Sequence, residues 1–234
     1  MRRKAYHRGK KHHKYGIDIR RRRMFQELMK SHSLNTSEST IENSTSNTRI
    51  IIYKSEFEYI ARCILDRSNI ETGGQLFGHW TADGTPIILY ALGPGPKANH
   101  QSTFFQQDLD YLVKVGNCLR HDFGLHHIGE WHSHHQLGLD HPSGYDIQTM
   151  TSSIRKEKLG NFLLCIGTCK GSIATARVFL CDCNRCKDAD WDVISTESPV
   201  RPLIDHALAG MLIHPSGSKR SKSSPNKHNR EYNG

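Results

Sequence analysis

The sequence predicts a mixed α/β domain, with a central mixed β-sheet flanked by helices. Three observations point there. Short β-branched runs such as Ile50-Ile51-Ile52-Tyr53 are interleaved with segments whose apolar residues recur at three and four. Two strand pairs are joined across the turn dipeptides Asp83-Gly84 and Lys170-Gly171, which make antiparallel hairpins. The remaining strands are separated by helical patterns, and strands of both kinds of connection belong to a mixed sheet with helices packed on it.

The elements follow in order. Ile50–Tyr53 reads as the first strand, and a helix over Glu56–Arg67 presents Phe57, Ile60, Ala61 and Ile64 to the core. Glu71–Gly78 reads as a strand, with Pro86–Leu92 as its hairpin partner and Gly93-Pro94-Gly95-Pro96 as its stop. A helix over Gln106–Arg120 carries an apolar stripe of Leu109, Leu112, Val113 and Val115. A short strand over His127–Trp131 leads into His132-Ser133-His134, and a helix runs from Ser143 towards Glu157. Asn161–Gly167 and Ile173–Leu180 close the pattern as two strands. No internal repeat is present.

The ends differ from this body. Residues 1–30 hold twelve Lys or Arg against two acids, a net of +10, and residues 215–234 carry +4, which leaves 31–214 near −5 of the total of +9. Residues 31–48 are rich in Ser, Thr and Asn with only Leu34 and Ile41 as large apolar residues, too few to order a segment. The expected organisation is a basic, polar, disordered arm and linker over 1–48, one folded domain over 49–214 and a basic disordered tail over 215–234. Such arms suit phosphates, an acidic partner or a nuclear address. There is no secretory apolar stretch and no run near the ~18 residues that cross a bilayer, so an intracellular protein of cytoplasm or nucleus, without membrane contact, is expected.

The chemistry concentrates in Glu130–Asp146. On a strand, His132 and His134 share one face, and at a helix start Ser143 and Asp146 do the same. Two imidazoles and a carboxylate can converge on one cation, and three such ligands with one open position make a catalytic zinc site. Each part alone is weak: the chain has 16 histidines, and Ser-x-x-Asp by itself reads as a helix cap. Glu71, before the adjacent Gly73-Gly74, would alone read as an exposed acid at the start of a strand whose glycines are closely approached.

Taken together, Glu71, His132-Ser133-His134, Ser143 and Asp146 resemble the JAMM (MPN-plus, or JAB) metalloprotease family, over roughly residues 50–180. Two details differ from the usual pattern: eleven residues separate His134 from Asp146 where ten are common, and His135 stands where proline is common. The longer loop costs little entropy, which keeps Asp146 as the ligand ahead of Asp140, with His135 and His141 as stray alternatives. The resemblance implies a JAB/MPN-like fold and one zinc ion held by His132, His134 and Asp146. Glu71 would shuttle the proton of a hydrolytic water, and the Ser143 hydroxyl would donate to the oxyanion. It further implies an isopeptidase removing ubiquitin or a ubiquitin-like modifier, although relatives cleave small sulfur-carrier-like proteins or peptides. The Pro96–Phe105 loop and the segment after Cys186 are expected to meet the substrate. The alternative is a non-catalytic scaffold or nucleic-acid-associated binder that uses the basic arms; scaffolding relatives typically lose the ligands that are present here.

The seven cysteines, without a secretory signal, are expected to be reduced thiols. Cys181, Cys183 and Cys186 could hold a second zinc, with Cys169 as a fourth ligand, but their spacing favours free cysteines at a strand end. Cys63, Cys118 and Cys165 read as small core residues and Trp131 as a core anchor. A cysteine peptidase has no local thiol–histidine pair to build on, and the His-x-Glu and Pro-Cys-x-x-Cys of a cytidine deaminase are absent.

Overall fold

The computed structural model describes residues 49–212. The arm and linker of 1–48 and the tail of 215–234 lie outside the described residues. The order is β1 (Ile50–Tyr53), α1 (Lys54–Leu65), β2 (Gly73–Trp80), β3 (Pro86–Leu92), β4 (Asn99–His100), β5 (Phe105–Gln106), α2 (Leu109–Phe123), β6 (His126–Ser133), a 3-10 turn (His135–Leu137), α3 (Gly144–Glu157), β7 (Phe162–Lys170), β8 (Ile173–Cys181), β9 (Cys186–Asp188), β10 (Trp191–Ile194) and α4 (Arg201–Ala207). Eight strands form one mixed sheet in the order β10-β1-β3-β2-β6-β7-β8-β9, and β4 and β5 form a separate two-stranded ribbon. The expected mixed α/β architecture is present.

Alternation along the strands assigns the helices to faces. Leu163 and Cys165 of β7 join Leu76, Ile88 and Trp131 in a core with Tyr59, Ile60, Cys63 and Ile64 of α1. The intervening Leu164 and Ile166 point the other way, into a cluster with Met150 and Ile154 of α3. Phe77 and Leu89 pack with Tyr111, Val115, Leu119 and Phe123 of α2, with Val200 just before α4 and with Ile204 within it. The buried stripe of α2 therefore recurs every four residues from Tyr111. The aliphatic stripe read from the sequence is wrong at Leu109 and Val113, which are exposed. The helix starts at Leu109 because the Asp108 carboxylate accepts the Tyr111 N–H (3.1 Å), and Phe105–Gln106, where the helix was expected to begin, is strand.

α1 begins at Lys54, two residues earlier than expected, and buries Glu56 completely. β1 pairs with β3 only at Ile87 and Ile88, so the rest of that β3 edge is satisfied by side chains. The Ala91 N–H donates to Glu56 Oε2 (2.6 Å), Arg201 Nη2 donates to the Ala91 carbonyl (3.0 Å) and Ser198 Oγ donates to the Leu89 carbonyl (2.5 Å). Arg201 also grips Glu56 through Nε (2.7 Å) and lies between the rings of Tyr59 and Tyr90 at 4.6 and 4.4 Å.

Two expectations about the second half are corrected. The segment after Cys186, expected to meet the substrate, instead supplies β9, paired with β8, and β10, paired in parallel with β1, and does not line the cleft. The thiols are not all reduced either. Cys181 and Cys186 are joined by a disulfide across the β8–β9 turn, their Cα atoms 4.0 Å apart. Both sulfurs are thereby withdrawn from metal ligation, and no second metal-binding group forms there among the described residues. Cys63 and Cys165 are buried core residues, and burial pushes both thiols up to about 12.

Candidate metal centre

β6 and α3 bring the predicted ligands together. His132 lies in the last turn of alternation of β6, opposite Gly73 of β2 and Ile166 of β7. His134 does not continue that strand as expected. Its N–H makes one more link to the Gly167 carbonyl (2.9 Å), after which the Leu137 N–H bonds the His134 carbonyl (3.2 Å) and the chain turns. α3 opens with a capping box: the Asp146 N–H donates to Ser143 Oγ (3.1 Å) and the Ser143 N–H to Asp146 Oδ2 (2.7 Å). The cap therefore fixes the Asp146 carboxylate against the imidazoles.

The resulting triangle is small. His132 Nε2 and His134 Nε2 are 3.3 Å apart, His132 Nε2 is 3.5 Å from Asp146 Oδ1, and His134 Nε2 is 3.6 Å from Asp146 Oδ2. Zinc bonds of about 2.0–2.1 Å in a tetrahedron require ligand atoms roughly 3.3–3.4 Å apart, so the three groups fit such an ion. His134 Nδ1 donates to the Leu139 carbonyl (2.8 Å). In the neutral ring that bond places the proton on Nδ1 and leaves the Nε2 lone pair directed into the triangle. His132, His134 and Asp146 could thus hold a metal ion.

Charge in the triangle is self-consistent. Burial opposes ionisation of Asp146, but hydrogen bonds from His132 and His134 overcome it and hold the carboxyl well below the usual range. Hydrogen bonding to Asp146 raises His134, against the opposing effect of burial. His135 is turned away. It adopts a positive φ of 37°, and its Nε2 donates to the Ser102 carbonyl (2.8 Å). His141 and Asp140 bond each other (2.6 Å), and Asp140 also pairs with Arg177 (3.3 Å). None of the three joins the ligand group.

Glu71 lies just before β2 and is held by its neighbours' backbone. Its N–H donates to the Gln101 carbonyl (2.7 Å), and its carbonyl accepts from His100 Nδ1 (2.9 Å) on the β4–β5 ribbon. The next residue, Thr72, exchanges bonds with Ser133 at 2.7 and 3.2 Å, which ties this segment to the end of β6. Burial raises the Glu71 carboxyl, His132 and His134 lower it, and Asp146 raises it again. The expected close approach at the glycine pair is present. A Cβ on Gly74 would fall 1.9 Å from the Leu92 carbonyl oxygen and 2.7 Å from Trp131 Nε1. Trp131 is the expected core anchor, its indole N–H bonded to that carbonyl (3.1 Å).

These groups line a cleft of about 580 Å³, bounded by the β2–β6 part of the sheet, the ribbon segment and the start of α3. Glu71, Ser143 and the three candidate ligands are all on its wall, with Phe104 and Phe105 of the ribbon segment forming one side. The Pro96–Phe105 loop thus reaches the cleft as expected, whereas no residue beyond Thr149 lines it. Glu130 and Gln107 are among the lining residues to which the sequence assigned no role. Glu130 is two residues before His132 on the same strand face, a spacing that period-two alternation could have flagged. Gln107 had no such signal; its position depends on the ribbon.

No family model matches this chain. Among curated proteins it is similar to one named CD-NTase/cGAS isopeptidase from Enterobacter hormaechei subsp. hoffmannii (strain UCI 50). The two are 29% identical over 131 residues, which cover 56% of this chain and 72% of that protein. Among solved structures it is similar to the solution structure of protein DSY2949 from Desulfitobacterium hafniense, with a TM-score of 0.50 over 63% of this chain and 94% of that one. Identity there is 15%, so the likeness concerns the fold alone. Among the described residues no helix is long and apolar enough to cross a membrane.

Proposed function

We propose that this chain is a zinc-dependent hydrolase of the JAMM kind, an isopeptidase that cleaves the amide joining ubiquitin or a ubiquitin-like modifier to its carrier. The observation that carries the reading is the His132–His134–Asp146 triangle, whose donor atoms lie within 4.8 Å of one another, on the wall that also holds Glu71. The similarity to a protein named as an isopeptidase adds weight for amide hydrolysis.

Each residue then has a task. A zinc ion in the triangle would supply Lewis acidity, lowering a water's pKa from ~15.7 to about 7 and polarising an amide carbonyl. His134 keeps Nε2 free for such an ion because Nδ1–H is spent on Leu139, and Asp146 is kept ionised. Glu71, in a half-buried position, takes the proton of the attacking water and returns it to the departing amine. Ser143 Oγ accepts the Asp146 N–H, so its own O–H remains to donate to the oxyanion. Phe104 and Phe105 limit solvent on one side.

The test is zinc content by elemental analysis, with cleavage of a ubiquitin-fused reporter in the presence and absence of a chelator. Glu71→Gln should retain zinc and lose turnover, and His132→Ala should lose zinc. Chelator-insensitive cleavage would overturn the reading. Zinc-free protein that binds DNA with a steep salt dependence would favour the binder built on the basic arms.

A further inference from the structure

Glu130 and Gln107 have no part in the chemistry above, yet both line the cleft. β6 aims Glu130 along the floor, beside Gln75 of β2 and Leu164 of β7. Among the described residues no hydrogen-bond donor meets its carboxylate. Gln107 is held by its amide nitrogen, which donates to the Gly93 and Pro94 carbonyls (3.1 and 3.0 Å). Its oxygen is then left buried without a partner. Burying an acceptor in this way costs about 1–3 kcal/mol unless a donor arrives. The Oε1 of the neighbouring Gln75 accepts from His127 Nε2. The cleft has no Lys or Arg on its wall, so neither acceptor has a cation of the protein beside it, and the Glu130 carboxylate is open to a ligand's N–H groups.

We propose that Glu130 and the Gln107 amide oxygen form a cation-accepting subsite that selects a lysine or arginine side chain in the substrate segment beside the scissile amide. The proposal rests on the hydrolase reading for where that amide sits. Glu130 is two residues from His132, so its Cα is ~6.6 Å along the strand from that of the candidate ligand. An extended substrate advances ~3.3 Å per residue, which puts the selected side chain within about two residues of the amide. An ammonium or guanidinium there gains a charge-assisted bond to Glu130, and its further N–H groups can reach Gln107. The aromatic wall of Phe104 and Phe105 offers its apolar stem a surface.

Fluorescein-labelled octapeptides test this, with one Lys, Arg, norleucine or Glu stepped through an otherwise Gly/Ala sequence. Their affinity is read by anisotropy on zinc-loaded Glu71→Gln protein, and their kcat/KM on the native chain. At one position Lys and Arg should exceed norleucine by about tenfold, the worth of one charge-assisted bond. Adding Glu130→Gln should bring that ratio close to one, with zinc content retained, and Glu130→Lys should turn the preference towards Glu. Equal binding of Lys and norleucine at every position, or a preference that survives Glu130→Gln, overturns the subsite. Loss of zinc from Glu130→Gln overturns it also. A basic preference in binding without hydrolysis by the native chain sinks the hydrolase reading alone, whereas hydrolysis without the preference sinks the subsite alone.

Discussion

Replacing Arg201 by methionine should be among the most damaging changes available outside the cleft. Arg201 is the sole cation on Glu56 among the described residues, and Glu56 is 0% exposed. The methionine fills most of the volume between Tyr59 and Tyr90 but leaves a buried carboxylate with only the Ala91 N–H and the Ser55 hydroxyl. Breaking one half of a buried pair costs about 3–5 kcal/mol. At about 2–4 °C per kcal/mol for a domain of this size, Tm should fall by roughly 6–20 °C. Glu56→Gln combined with Arg201→Met removes both charges while keeping an acceptor for Ala91, and should recover much of the loss. Thermal unfolding followed by circular dichroism, on the native chain and the three variants, measures the cycle. A single-variant loss below about 1 kcal/mol, or a double variant as unstable as the sum of its parts, would refute the account of the part of β3 left unpaired by β1 as held by one buried ion pair.

Other outcomes follow from the same geometry. Ser143→Ala should lose about 1 kcal/mol of stability from the helix cap, and turnover by roughly 10²–10³ if the hydroxyl meets the oxyanion, with zinc retained; loss of stability alone would limit Ser143 to capping. Because burial raises the Glu71 carboxyl, its base form should be lost on acidification sooner than that of a free glutamate. The acid limb of kcat/KM should accordingly sit above the free value of about 4.3, and a profile flat to that pH would count against Glu71 as the base. Alkylation of the folded protein should spare Cys63 and Cys165, whose thiols are pushed up to about 12, until denaturant is added. Mass spectrometry should also find two further alkylation sites after reduction, from Cys181 and Cys186. Gly74→Ala should lower Tm by several degrees, since the new methyl meets a carbonyl at 1.9 Å.

The legible part of this fold is the part with local causes. The Asp83-Gly84 turn, with Gly84 at φ +83°, announced the β2–β3 hairpin, and Ser143 with Asp146 announced the start of α3. The same pair announced a candidate ligand, because one carboxylate serves both cap and triangle. What stayed hidden depends on distant partners. β10 is four residues with no distinctive period, and it becomes a strand because Ile50–Tyr53 accepts Trp191–Ile194 as a parallel neighbour. The two-residue strands β4 and β5 are equally silent, although they hold Glu71 in place. The stripe of α2 departs from the expected one because the aromatic residues Tyr111 and Phe123 flank its buried face, while the aliphatic Leu109 and Val113 lie outside. The disulfide escaped because its sulfurs meet only once β9 folds back on β8.

The position of β1 has a consequence for how the protein is made. This strand lies between β3 and β10, so on leaving the ribosome it has one side waiting for residues 191–194. Arg201 comes later still, and until it emerges Glu56 has no counter-ion on a nascent chain that already carries α1. Folding during translation should therefore stall with an open sheet margin and finish in a late step, once the last helix is released. Ribosome-bound chains halted before residue 191 should be readily cut by protease near β1, and chains extended well past residue 212 should resist.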